Sequence, residues 1–222
     1  MRGYFVTATG TDIGKTYVSA ALLSAWRAQG HAVAATKPLM SGFDEDALEQ
    51  SDAGRLLAAM GQAVTPASVS GICLHRLAPP LAPNVAMRQA EIAQNYSEIR
   101  DFVARRLATA ADFHLVEGAG GVMSPVTDDT LQIDLMADLR LPVILVAAPY
   151  LGSISHTLTA LEVLKARELE ISAVVVSQPS AHGHDPLAFA EELFRFRDVN
   201  IFTVPYSGFA AVSDLARQLQ DL

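Results

Sequence analysis

Residues 8–16, Ala8-Thr9-Gly10-Thr11-Asp12-Ile13-Gly14-Lys15-Thr16, follow an apolar run at 4–7 and precede a helical pattern. Their ending, Gly14-Lys15-Thr16, matches the close of a Walker A loop, although Thr9 stands where the generic pattern has glycine. In such a loop the backbone N–H groups and the helix N-terminus bind phosphate, lysine reaches the outer phosphates, and the threonine hydroxyl ligates Mg²⁺. The sequence therefore predicts a nucleotide-phosphate site, with a plain strand-to-helix turn as the alternative. The predicted nucleotide-binding residues in this loop are Asp12, Ile13, Gly14, Lys15 and Thr16.

Apolar, β-rich runs alternate with helical patterns along most of the chain. This rhythm predicts an α/β fold with a doubly wound, mostly parallel sheet and helices on both faces, formed by a single domain over residues 1–222. The expected strands are 4–7, 32–36, 113–117, 142–147, 173–176 and 201–204. The expected helices include 51–60, 154–167 and 185–197, whereas 61–83 is expected to be loop-rich.

Composition excludes several classes of function. The chain has 222 residues with 50% hydrophobic residues and a net charge of -8, so it lacks the basic field of a non-specific nucleic-acid binder. No apolar run approaches the roughly 20 residues of a membrane span. The single cysteine, Cys73, cannot form an internal disulfide, which favours a reducing compartment. We therefore expect no nucleic-acid partner, no membrane partner and a cytoplasmic location.

Only three of the basic residues are lysines, and two of them, Lys15 and Lys37, fall inside motif-like segments. Lys37 ends the second strand and is expected on the same sheet edge as Lys15, where two positive charges would act on one phosphoryl group. Glu117 ends the strand before the glycine-rich tail Gly118-Ala119-Gly120-Gly121, at the position of a Walker B acid. Asp52 is a second candidate ligand for Mg²⁺. The alternative for Lys37 is a surface lysine. For Glu117 it is a solvated strand end, and for Asp52 it is an exposed acidic face.

Together these segments resemble the dethiobiotin synthetase family, which has a P-loop NTPase fold. The resemblance extends through Lys37-Pro38-Leu39-Met40-Ser41-Gly42, Pro80-Leu81-Ala82-Pro83 and Val116-Glu117-Gly118-Ala119-Gly120-Gly121. It implies an ATP-dependent ligase that closes the ureido ring of dethiobiotin from 7,8-diaminononanoate and CO2, through a carbamate and a carbamic-phosphoric anhydride, in biotin synthesis. The implied roles are catalysis by Lys15 and Lys37, Mg²⁺ binding by Thr16, Asp52 and Glu117, ATP binding by Glu117, Gly118 and Gly120 besides the loop, and substrate binding by Thr11, Lys37 and Ser41.

The resemblance also implies a homodimer with the substrate site at its interface. There the substrate carboxylate would lie at a helix N-terminus that includes Gly152 and Ser153. An ordinary buried crossover helix is the alternative. The sequence departs from the family pattern at Ala8, Gly10, Asn84, Ser155 and the pair Ser177-Gln178, the last at the place where the family often has an Asn-Asp pair that reads adenine.

Three other functions compete with this one. They are a related ATP-dependent amide ligase, a MinD- or ParA-like regulatory ATPase, and a nucleotide-binding protein without turnover. Retention of both lysines, Thr16, Asp52 and Glu117 favours an enzyme. His182-Gly183-His184 has no third ligand nearby, so we expect a solvent-exposed loop there and no metal site.

Overall fold

The structure, a computed structural model, describes residues 2–178, 184–206 and 209–221. Its strands are β1 (Arg2–Ala8), β2 (Val33–Thr36), β3 (Leu39–Ser41), β4 (His75–Leu77), β5 (Phe113–Glu117), β6 (Val143–Ala147), β7 (Ile171–Ser177) and β8 (Ile201–Val204). Its helices are α1 (Lys15–Ala28), α2 (Asp52–Ala59), α3 (Pro66–Ile72), α4 (Pro83–Gln89), α5 (Tyr96–Leu107), α6 (Gln132–Leu139), α7 (Ser153–Ala166), α8 (Pro186–Phe194) and α9 (Phe209–Asp221), with a 3₁₀ helix at Glu45–Gln50.

The main sheet has the strand order β2-β5-β1-β6-β7-β8, and each neighbouring pair is parallel. Successive residues of β1 point to opposite faces: Tyr4 and Val6 pack in one hydrophobic cluster and Phe5 in the other. The first cluster joins the sheet to α1, α2, α3 and α9, and the second joins it to α5, α6, α7 and α8. Burial of both faces explains the apolar strands and confirms the predicted doubly wound fold.

The expectation of loops across 61–83 is wrong in part. Helix α3 lies in this stretch, because Thr65 and Ser68 form a reciprocal capping box and Pro66 starts the first turn. Strand β4 follows and pairs with β3 in a separate two-stranded parallel sheet. Strand β3 and helices α4 and α6 were not predicted either. They are three to eight residues long, which is too short to show a clear hydrophobic period.

The strand order places the predicted chemistry on one edge of the sheet. Strands β2, β5 and β1 are adjacent, so the residues after their carboxyl ends lie side by side. Lys37 follows β2, Glu117 ends β5, and the loop at 9–14 follows β1. Within the residues that the structure describes, no helix has the length and apolar character needed to cross a membrane.

Candidate active site

The loop between β1 and α1 needs glycine at its last position. Gly14 has φ +97°, and a Cβ atom there would lie 2.6 Å from Ser177 Oγ at the end of β7. Any other residue would therefore meet both backbone strain and a steric clash. No side chain caps the first turn of α1, so no capping side chain takes up the N–H groups at the start of this helix. This arrangement suits an anion.

Lys15 folds back over this loop. Its Nζ donates a hydrogen bond to the carbonyl oxygen of Gly10 at 3.0 Å, and only 7% of the residue is exposed. Burial, and next the positive charge of Lys37, lower the pKa of Lys15 to about 8. A negatively charged ligand beside it would favour the ammonium form and raise the pKa again.

Lys37 is held by three oxygen atoms. Its Nζ lies 2.8 Å from Glu117 Oε1, 2.9 Å from Asp52 Oδ2 and 2.9 Å from the carbonyl oxygen of Gly118. Burial alone would lower the pKa of Lys37, but the carboxylates of Glu117 and Asp52 outweigh it and raise the pKa above its ordinary value. The ammonium is therefore charged at any physiological pH. The alternatives of a surface lysine and a solvated glutamate are both wrong, since Lys37 is 2% and Glu117 0% exposed.

Thr16 joins the same group of residues. Its Oγ1 lies 2.9 Å from Asp52 Oδ1 and 2.8 Å from Glu117 Oε1, although one hydroxyl proton can serve only one acceptor at a time. Partial burial would raise the pKa of Asp52, but Lys37 and this hydroxyl outweigh it and lower the pKa below its ordinary value. Asp52 is thus part of the site and not of a purely exposed acidic face.

Glu117 Oε2 is buried and has no hydrogen-bond partner among the described residues. An unpaired carboxylate oxygen next to a hydroxyl and a second carboxylate fits a hard divalent cation such as Mg²⁺. The described residues contain no group of three or more His, Cys, Asp or Glu side chains placed to hold a metal. A set of two carboxylates and one hydroxyl nevertheless suits Mg²⁺, which keeps several water ligands and also binds substrate phosphates.

These side chains line or adjoin one large cleft of about 1080 Å³. Among the residues predicted for the site, those that line the cleft are Thr11, Asp12, Gly14, Lys15, Thr16, Lys37, Ser41, Asp52 and Gly120. Glu117 and Gly118 lie behind Lys37 and bond to its ammonium. Ile13 is buried in the core cluster on the α1 side of the sheet.

Gly152 and Ser153 do not line this cleft. Gly152 is the N-cap of α7, with φ +90°. The hydroxyl of Ser153 donates to the carbonyl oxygen of Tyr150 at 2.6 Å and accepts from the Tyr150 N–H at 3.0 Å. The Ser153 N–H donates to the same carbonyl. The polar groups of Ser153 are therefore engaged within the turn.

Sequence reasoning missed two residues that shape the cleft or its wall. Arg55 lines the cleft from α2, one helical turn after Asp52; the spacing of three residues on a predicted helix could have indicated it. Gln132 is buried at the start of α6 and donates from Nε2 to Thr7 Oγ1 at 2.8 Å and to the Gly121 carbonyl at 2.9 Å. No local sequence pattern indicated Gln132, because its hydrogen-bond partners Thr7 and Gly121 lie in other segments of the chain.

Of the histidine pair, His184 is exposed, as expected. His182 and Gly183 lie outside the described residues.

Comparison with known proteins adds family evidence to this geometry. Residues 2–207 match the family model described as an AAA domain. The chain is 48% identical over 218 residues to the ATP-dependent dethiobiotin synthetase of Phenylobacterium zucineum, covering 95% of this chain and 92% of that protein. The chain belongs to the dethiobiotin synthetase family. The corresponding protein of Caulobacter vibrioides strain NA1000 is 49% identical over 179 residues, 80% of each chain. As a member of this family, the chain is an ATP-dependent ligase of biotin biosynthesis.

Solved structures of other P-loop proteins share the fold of this dethiobiotin synthetase family member. MinD in the MinC–MinD complex of Aquifex aeolicus aligns with a TM-score of 0.62 at 11% identity, covering 100% of this chain and 97% of that one. A ParA family ATPase of Chlorobium tepidum aligns with a TM-score of 0.53 at 16% identity, covering 99% and 97%. At such identities the likeness concerns the fold alone, so it does not favour the alternative of a regulatory ATPase.

Proposed function

We propose that this chain closes the ureido ring of dethiobiotin from 7,8-diaminononanoate, CO2 and ATP. One amine of the substrate adds to CO2 and loses a proton, which gives a carbamate. A carbamate oxygen attacks the γ-phosphorus, ADP leaves, and a carbamic-phosphoric anhydride forms. The second amine then attacks the carbonyl carbon, phosphate departs, and loss of the amine proton completes the ring.

The charge of the site supports this chemistry. A carbamate anion is repelled by the triphosphate unless positive charge lies between the two. Lys15 at the start of α1 and Lys37 just after β2 supply such charge from the same edge of the sheet, and Lys37 is held in place by Glu117 and Asp52 before any substrate arrives. Fixed charge of this kind stabilises a phosphoryl group in transfer without reorganisation at the moment of reaction. The buried Lys37 ammonium beside the phosphate loop is the observation that carries the proposal.

Thr16, Asp52 and Glu117 would hold Mg²⁺. When bound, the ion would neutralise phosphate charge and fix the direction of the terminal phosphoryl group. The unpaired Glu117 Oε2 supports this assignment, because a buried carboxylate oxygen needs a partner. Asp12, Ile13, Gly14 and Lys15 would surround the phosphates, and Gly118 and Gly120 would let the chain approach the nucleotide closely.

Thr11 and Ser41 would bind the diamine end of the substrate. Both line the cleft, and Ser41 Oγ is buried without a partner among the described residues. Its hydroxyl is therefore available to an amine or a carbamate.

A homodimer would complete the site. In this proposal the N-terminus of α7, which includes Gly152 and Ser153, receives the substrate carboxylate bound in the partner's cleft. Since Ser153 is engaged with Tyr150, the N–H groups that follow it in the first turn would make the contacts. A cytoplasmic location agrees with the single buried, free Cys73.

The experiment is to measure phosphate release from ATP with the diamine and bicarbonate omitted in turn. We expect release only when both are present, together with formation of dethiobiotin in equal amount. Phosphate release that is unchanged without the diamine would overturn the proposal in favour of a simple ATPase. Release with the diamine but without ring formation would point to a different ligase product.

A further inference from the structure

Arg55 is a charged residue in the cleft to which the proposed reaction assigns no role. It lies on α2, three residues after Asp52, is exposed, and lines the same cavity as Lys15 and Lys37. Within residues 2–178, 184–206 and 209–221, its guanidinium makes no hydrogen bond or ion pair, and its backbone N–H donates to the carbonyl oxygen of Ser51. A charged group that lines the cleft and has no protein partner is available to a ligand.

The two lysines of the cleft differ from Arg55 in this respect. Lys37 is neutralised by Glu117 and Asp52, and the charge of Lys15 is close to balanced once Asp12 is counted. Without Arg55, two ammonium groups stand against the three carboxylates of Asp12, Asp52 and Glu117, so the fixed side-chain charge of the site is negative. A nucleotide triphosphate and a carbamate bring several negative charges into this cleft, so further positive charge is needed beyond these pairs.

The position of Arg55 on its helix places it within reach of Asp52 and of the cleft that both residues line. Side chains of an α-helix lean toward the helix N-terminus, and the first residue of α2 is Asp52. Three residues advance a helix by only about 4.5 Å, which a long arginine side chain spans easily. The guanidinium of Arg55 can therefore reach the region between Asp52 and Thr16, where the terminal phosphate would lie.

We propose that Arg55 binds the terminal phosphoryl group of the nucleotide and remains on it while the group is transferred. The planar guanidinium can donate two parallel hydrogen bonds to phosphate oxygens, which an ammonium cannot do. This inference rests on the proposed function, because it assumes that ATP is bound with its γ-phosphate beside Asp52. It makes Arg55 a residue that discriminates ATP from ADP.

The test compares ATP and ADP binding, each with Mg²⁺, by isothermal titration of the wild-type protein and of Arg55→Ala, Arg55→Gln and Arg55→Lys. We expect Arg55→Ala and Arg55→Gln to weaken ATP binding about tenfold and ADP binding less than about twofold, with partial recovery in Arg55→Lys. Arg105→Ala is the matched control, since Arg105 is exposed on α5 and does not line the cleft. It should bind both nucleotides as the wild type does.

Several results would overturn the assignment. Equal losses for ATP and ADP, or no loss for either, would remove Arg55 from the terminal phosphate. An increase in KM for the diamine acid alone, with ATP binding unchanged, would place the guanidinium on the substrate carboxylate instead. Thermal unfolding of each variant separates a folding defect from a binding defect, and the glutamine and lysine variants retain most of the side-chain bulk. Failure of the wild type to bind ATP at all would instead contradict the proposed function.

Discussion

The Lys37 ammonium lies 2.8 Å from Glu117 Oε1, and both side chains are almost completely removed from solvent. Lys37 directly follows β2 and Glu117 ends β5, and these two strands are neighbouring and parallel. Strand pairing therefore fixes the separation of the two charges before a ligand binds. Each side chain can be buried here because the other one pairs its charge. An unpaired buried charge in this position would lower the stability of the fold considerably.

Lys37→Ala is expected to lower both stability and activity, for different reasons. It leaves the Glu117 carboxylate buried without its cation, so the free energy of unfolding should fall by about 3 kcal/mol. Ring closure should slow far more than ATP binding weakens, because the charge acts mainly on the phosphoryl group in transfer. Urea unfolding and single-turnover kinetics measure the two effects.

Two further variants separate these effects. The double variant with Glu117→Gln should regain part of the lost stability, since both buried charges are then removed, but it should stay inactive. Lys165→Ala is the control, because Lys165 is exposed on α7. Equal losses of ATP binding and ring closure in Lys37→Ala would contradict a role in transfer.

Lys15 should take up a proton when ATP binds at alkaline pH. Its pKa is lowered to about 8, and the phosphates should raise it again. At about pH 8.5, binding should therefore be accompanied by uptake of about three-quarters of a proton, and at about pH 6.5 by almost none. Calorimetric titrations in buffers of different ionisation enthalpy measure this number. Lys15→Arg should abolish the uptake, since a guanidinium stays protonated; uptake that persists in this variant would assign the proton elsewhere.

The phosphate loop and the strand-end residues could be predicted from the sequence, because local pattern and parallel-sheet topology together determine their place. Lys37 and Glu117 each follow or end an apolar strand, and the carboxyl ends of such strands meet at one edge. Their direct contact could not be predicted, since it depends on β2 and β5 being neighbours although residues 37–112 separate them in the chain. Without that strand order, the sequence could not decide between a buried ion pair of Lys37 and Glu117 and two separate, solvated side chains.

Gln132 and Arg55 show a second reason why some residues of the site could not be predicted from the sequence. Gln132 begins a helix of eight residues that has too few turns to show a clear period, and its partners Thr7 and Gly121 are distant or lie in an irregular loop. Arg55 is one of 13 arginines, and nothing in the sequence distinguishes it from those on exposed helix faces. The relevance of both residues arises from packing that brings separate elements together.

His114 should make the protein sensitive to acid. It is fully buried in β5 with Nε2 2.8 Å from Thr36 Oγ1, and Nδ1 has no partner among the described residues. Burial, and next the charge of Arg106, lower the pKa of His114 to about 4. Between that value and the ordinary pKa of about 6.5, the unfolded chain binds more protons than the folded one. Stability is therefore present above about pH 6.5 and is lost as the pH falls toward 4.

The contribution of His114 over this window should be on the order of 3 kcal/mol. Urea unfolding at several pH values measures it, and His114→Gln should flatten the pH dependence. His184→Gln is the control. Because His184 is exposed, this substitution should leave the dependence of stability on pH unchanged. A slope that is the same in His114→Gln as in the wild type would assign the acid sensitivity to the carboxylates.

The contact between Gly118 and Gln132 should appear as strong coupling between substitutions. A Cβ atom at Gly118 would lie 2.1 Å from Gln132 Oε1, so Gly118→Ala should destabilise the protein by about 3 kcal/mol through overpacking. Gln132→Ala alone should cost about 2 kcal/mol, because it removes the bonds to Thr7 and Gly121. In the double variant the clash is absent, so the total loss should be well below the sum.

Gly14 provides the contrast that tests this explanation. A Cβ atom at Gly14 would also clash, with Ser177 Oγ at 2.6 Å, but the backbone there has φ +97°. Replacing Ser177 by alanine should therefore recover little of the stability lost in Gly14→Ala, since the backbone strain remains. Urea unfolding of both double-mutant cycles gives the two coupling energies. Similar coupling in the two cycles would mean that side-chain clash alone, and not backbone conformation, requires glycine in the phosphate loop.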